Sequence, residues 1–146
     1  MPEIFDVLKS VSLTLFLFAL SGRESANGAD YYVSPQGDDA STGAKSQPWQ
    51  TLVRVNHADL RPGDRVLLEG GKVFSGSLEL GRNYSGAGSQ KLIVTSYGNG
   101  RAIIDAGNGG AIVVSGCRNL LVRDLKCIGS GRKSGNTASG IRLSDA

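Results

Sequence analysis

Short aliphatic runs recur from Arg65 to the end of the chain, at 66–68, 78–80, 92–94, 102–104, 112–114, 120–122 and 141–143. Gly, Asn, Ser or Asp separates each from the next. Runs this short between turn residues predict strands, not helices. One series begins at Val66, Leu92 and Leu120, in steps of 26 and 28 residues, and a second at Leu78, Ile112 and Ile141, in steps of 34 and 29. A repeat near 28 residues holding about three short strands matches one coil of a parallel β-helix. Such a coil cannot bury its inward side chains alone. A second coil stacked on it at about 4.8 Å satisfies the strand hydrogen bonds and covers the aliphatic residues.

Alternation within a run sets which side chains form the core. At 119–125 it sends Leu120 and Val122 inward and Leu121 and Arg123 outward, and Leu125 turns inward again after a bend at Asp124. Asn and Gly at the corners tolerate the left-handed backbone that sharp bends need.

The part before Arg65 has a different pattern. Residues 11–20 are continuously apolar, too few for a membrane span of about 20 residues but of the length of a secretory leader core. Small residues follow at 21–29, so residues 1–29 are assigned to a signal peptide, with cleavage after Gly28 or Ala29. Glu3 and Asp6 outnumber Lys9 in the leading segment, which departs from the usual positive start. Residues 30–64 form a mixed unit: a strand at 31–33, a polar loop at 34–47, and a short helix after Pro48. Leu52, Val55 and Asp59 or Leu60 follow at helical spacing, so a single apolar stripe is expected on one face. Arg61, Pro62, Gly63 and Asp64 end that helix in a turn.

Composition narrows the class. The chain has 146 residues, 40% of them hydrophobic, with 21 Gly and few aromatics. It is long enough for one core and too apolar for a disordered chain. The net charge is +3, with basic residues scattered and not interleaved with aromatics, so a nucleic-acid partner is not expected. A mildly positive surface suits an acidic polysaccharide, although most surface cations are simply solvated.

Three blocks carry a family resemblance: residues 31–39, 47–52 and 61–68, in that order. With the coil-like stretch at 119–125, they resemble the pectate-lyase-like right-handed parallel β-helix superfamily over residues 30–146. The resemblance implies an all-β, right-handed parallel β-helix of about three coils, with a short N-terminal capping helix and an uncapped C-terminal end. It further implies that residues 65–146 are the first coils of a truncated stack, and that the helix after Trp49 plugs the first coil. That plug has an independent physical reason, because an uncovered first coil exposes apolar side chains and unpaired backbone. Members of the superfamily are polysaccharide lyases, glycoside hydrolases or uronan epimerases, and some have no known activity. Their catalytic residues generally lie on outward positions of later coils, so no catalytic residue transfers to this chain.

Candidate chemistry is sparse. Asp38 and Asp39 offer paired carboxylates for calcium, which acidic-polysaccharide lyases often use; the competing assignment is a solvated turn. Arg123 and Lys126, near Asp124, are candidates to bind an anionic substrate, against an ordinary solubilising role. His57 is the only histidine, placed on the capping helix away from any coil face. Cys117 and Cys127 flank an extended stretch too long for a disulfide, so both are expected as buried free thiols. Residues 83–85 match a glycosylation sequon.

These features support three readings. The first is the N-terminal part of a secreted polysaccharide lyase or hydrolase, with catalytic coils outside this chain. The second is a non-catalytic carbohydrate-binding or cell-surface module. The third is a remnant that self-associates through its uncapped C-terminal coil.

Overall fold

The computed structural model describes residues 28–82, 90–131, 136 and 138–145. The leader core and the sequon lie outside them. Along the described residues the order is β1 (Asp30–Val33), α1 (Leu52–Asn56), β2 (Arg65–Glu69), β3 (Val73–Ser75), β4 (Leu78–Leu80), β5 (Leu92–Tyr97), β6 (Ala102–Asp105), β7 (Ile112–Ser115), β8 (Leu120–Val122), β9 (Leu125–Ile128) and β10 (Ile141–Ser144). They form three sheets, β1-β2-β5-β8, β4-β7-β10 and β3-β6-β9, and every strand pairing is parallel. The chain visits the sheets in turn, which makes a β-helix-like stack rather than a set of hairpins.

Inward side chains form columns across the layers. Tyr31, Val66, Val94 and Val122 are in register in the first sheet. Leu78, Ile112 and Ile141 align in the second, as do Leu80, Val114 and Leu143. Phe74, Ile104 and Cys127 align in the third. Stacking like on like buries apolar area at about 25 cal/mol per Å² while each layer supplies ladder partners to the next.

The steps expected from Leu78 to Ile112 to Ile141, and from Leu92 to Leu120, are the observed registers. The step from Val66 to Leu92 is corrected: Val66 pairs with Val94. The two-residue slip preserves the inward face, because side-chain direction repeats every two residues. Strands β3 and β9 complete the third sheet, which hydrophobic runs alone had not outlined. In β3 only Phe74 is buried, so the strand has no aliphatic run to betray it.

The N-terminal end is closed. Tyr32 N–H donates to the Gly43 carbonyl, Trp49 N–H to Tyr32, and Ser34 N–H to Trp49, so the loop at 43–49 covers the free edge of β1. Trp49 stacks on Tyr31 at 4.7 Å, and the Arg54 guanidinium lies 4.5 Å from the indole centre. Gly43 adopts φ +83° against the indole, where a Cβ would approach Trp49 to 2.7 Å. Helix α1 begins at the Thr51 cap, whose hydroxyl accepts from Arg54 N–H, and buries Leu52 and Val55. It ends at His57, not at Arg61. Ala58 and Leu60 are buried from irregular backbone, just after Asn56 at the end of α1 ties the chain to β4. The turn at 61–64 instead positions buried Asp64, whose carboxylate accepts from Ala29 N–H and Arg61 N–H, each at 2.7 Å. Ala29 also accepts from Arg65 N–H, so this residue, assigned to the leader on sequence, participates in the fold.

The opposite end is open. Ile141 is 55% exposed and Leu143 65%, although both occupy inward columns. With Val114, Leu120, Val122 and Leu125 they line an apolar cavity of about 460 Å³.

Candidate functional site

Residues of β4 and β7 form the wall of a shallow groove of about 490 Å³ beside α1. Alternation in β4 buries Leu78 and Leu80 and projects Glu79 outward. Glu79, Val113 and Arg142 then align across the sheet, and the Ser115 and Ser144 hydroxyls lie 3.0 Å apart beside them. Helix α1 contributes Val53, Asn56 and His57 to the same groove. His57 is therefore beside a coil face, a correction to its expected isolation. Its Nδ1 is 2.8 Å from the Val53 carbonyl. A carbonyl only accepts, so Nδ1 carries a proton in this contact, and Nε2 is the ring nitrogen left for other partners.

An imidazole, one carboxylate and the Ser115 hydroxyl can hydrogen-bond a polyol. Glycosidic cleavage commonly needs a second, facing carboxylate, and Glu79 is the one acidic side chain among the described residues lining this groove. Among the described residues no group of three or more His, Cys, Asp or Glu gathers to hold a metal.

The residues singled out on sequence do not converge. Asp39 accepts from Gln50 N–H at 2.8 Å and Thr51 N–H at 2.9 Å on one oxygen, and from the Thr51 hydroxyl at 2.6 Å on the other. Burial pushes its pKa up, but the Thr51 hydroxyl, the two amides and the Arg54 charge outweigh that and hold it below the usual value. Asp38 accepts from Ala40 N–H. Asp39 thus ties the loop to the start of the lid, while the Asp38 bond closes a turn within the loop. Arg123 and Lys126 lie on different faces, separated by the corner at Asp124, where φ is +54°. Arg123 is 3.5 Å from the Asp124 carboxylate, whereas Lys126 sits on the third sheet opposite Ile103. Cys117 is buried and Cys127 half-buried, both as free thiols raised by burial. Glu79 and Ser115 went unselected on sequence. The alternation of Leu78, Glu79 and Leu80 marks Glu79 as outward, but neither its pairing nor the nearness of α1 is written locally.

No family model matches the chain. It is 35% identical over 105 residues to the lacto-N-biosidase of Bifidobacterium longum subsp. longum, a match covering 66% of this chain and 6% of that protein. Among solved structures it is similar to a GH136 lacto-N-biosidase from Eubacterium ramulus, with a TM-score of 0.67 and 31% identity over 75% of this chain. That match spans 22% of the solved chain. A rhamnogalacturonan lyase shares the fold at a TM-score of 0.57 and 22% identity, over 70% of this chain and 29% of that one. The chain is thus similar to carbohydrate-active proteins of β-helix type and spans a small part of their length. No helix among the described residues is long and apolar enough to cross a membrane.

Proposed function

We propose that this chain is the opening section of a secreted, glycan-hydrolysing protein built on a right-handed parallel β-helix. It comprises a leader, a lid and about three coils, and the coils bearing the catalytic carboxylates stack on the open layer of β8, β9 and β10. The observation that carries this reading is the 31% identity and 0.67 TM-score to a lacto-N-biosidase over most of the chain. The exposed inward columns at Ile141 and Leu143 support it physically, because uncovered aliphatic side chains favour another layer. The rhamnogalacturonan lyase likeness supports the architecture only, so hydrolysis is preferred to the elimination expected of an acidic-polysaccharide lyase. Cleavage of the leader after Gly28 retains Ala29, whose amide and carbonyl are both used.

The second reading is a non-catalytic carbohydrate-binding module, favoured by the single carboxylate of the groove. The test begins with the coding sequence beyond codon 146, where further coils are expected. The extended protein should release nitrophenol from a nitrophenyl lacto-N-bioside. A stop directly after Ala146 overturns the hydrolase reading. So does an extended protein that binds glycan without product, which would favour the module. Growth of the ultraviolet absorbance of an unsaturated uronate product overturns it in favour of a lyase.

A further inference from the structure

The outer face of β1-β2-β5-β8 carries an unusual group for a solvated sheet. Tyr32, Leu67 and Thr95 align in one outward column, and Glu69 pairs with Tyr97 in the next. The Tyr32 and Tyr97 rings meet edge to face, with centroids 5.1 Å apart. They come from strands on either side of β2 and therefore bridge across Leu67. That leucine points outward, yet it is only 7% exposed. Beside the rings, Glu69 accepts from the Ser34 hydroxyl at 2.5 Å on Oε2. Among the described residues, Oε1 of Glu69 and the hydroxyls of Tyr32 and Tyr97 have no hydrogen-bond partner in the protein. All three side chains are only partly exposed.

We infer that this face is a second glycan-contact site, which takes a neutral pyranose sugar against Tyr32 and Tyr97 with Glu69 accepting from its hydroxyls. The chemistry of the group matches that ligand on two counts. A sugar ring presents an apolar C–H face to an aromatic ring and hydroxyls around its rim, and tyrosine offers an apolar body with a polar tip. A carboxylate with an open oxygen is an acceptor that a sugar hydroxyl satisfies, and two phenol hydroxyls are donors for sugar oxygens. Burial first, then the charge of Glu69 and the neighbouring Tyr32, push the Tyr97 pKa up, so its hydroxyl remains a donor well into alkaline conditions.

Charge selects a neutral sugar over a uronate. On this face Arg65 is engaged by both oxygens of Asp30, and Arg123 at the sheet's far edge lies beside Asp124. Among the described residues no salt bridge offsets Glu69. A ligand carboxylate would therefore meet like charge.

The full chain, labelled for NMR, tests this with lactose and cellobiose as neutral probes and digalacturonate as the charged one. Shift changes and saturation transfer at the Tyr32 and Tyr97 rings are expected with at least one neutral disaccharide. Tyr97→Ala should weaken that binding about tenfold, the scale of one lost aromatic contact. Tyr97→Phe keeps the ring and should retain most of the binding. Glu69→Gln should weaken the neutral sugar and improve digalacturonate. Unchanged Trp49 signals will show that each variant keeps its fold. The inference is overturned if neither neutral sugar perturbs these rings, if digalacturonate binds the wild-type chain equally well, or if Tyr97→Ala folds and binds normally. These outcomes are independent of whether the extended protein hydrolyses a glycoside.

Discussion

Asn56 Nδ2 donates to the Ser77 carbonyl and its Oδ1 accepts from Glu79 N–H, both at 2.9 Å. One side-chain amide thus replaces the strand that would otherwise pair with the free edge of β4. Asn56→Asp keeps the acceptor but removes the donor and brings a charge. We expect a loss of about 1–3 kcal/mol, the cost of an unmet partly buried hydrogen bond, measured by chemical denaturation. An unchanged midpoint would refute the edge-closing role. Asp39 makes a comparable closure between loop and lid. Its folded-state pKa is held below the ordinary 3.8, so its contribution is present above that value and lost as pH falls through the lower folded value. Asp39→Asn should melt earlier than the wild type at neutral pH, and the gap should narrow in strong acid; a gap independent of pH contradicts the linkage. On sequence, Asp39 stands with its neighbour Asp38 as a candidate for calcium. The fold adds Thr51, twelve residues away, as a partner, and nothing local advertises that closure.

The lid was legible as an element, but its length was not. The spacing of Leu52 and Val55 marks the helix, and both are buried. Extending the stripe to Leu60 names another buried residue but assigns it the wrong backbone, because burial alone does not specify helical geometry. Sealing falls chiefly to Trp49, stacked between Tyr31 and Arg54 and only 2% exposed. It is the only tryptophan of the chain, so its fluorescence reports the lid. Emission is expected blue-shifted and resistant to acrylamide, and a solvent-like spectrum would mean the lid is not closed. Trp49→Ala should cost about 3–5 kcal/mol, the range for emptying an aromatic core position, read from the denaturation midpoint by circular dichroism.

Across the whole molecule, burial declines from the lidded end to the open one. In the column of Leu78, Ile112 and Ile141, exposure rises from 0% to 5% to 55%. Parallel edges with an apolar interior attract another layer, so the chain by itself should self-associate through β8, β9 and β10. Sedimentation velocity should show mass increasing with concentration, and Ile141→Asp with Leu143→Asp should abolish the increase. A wild-type monomer at high concentration would rule out that use of the open end. The β-helix-like architecture was legible because its causes repeat along the chain: alternating aliphatic positions, corner residues tolerant of left-handed backbone at Asn119 and Asp124, and a period that returns each run to its own kind. Such a signal survives a two-residue error in register, since the inward face is unchanged. Only the folded chain decided which residues meet: His57 beside Glu79, Asp39 on Thr51, Tyr32 against Tyr97 across β2. Those contacts join segments twelve or more residues apart, beyond what a short window encodes, and site chemistry depends on distance in space, not along the chain.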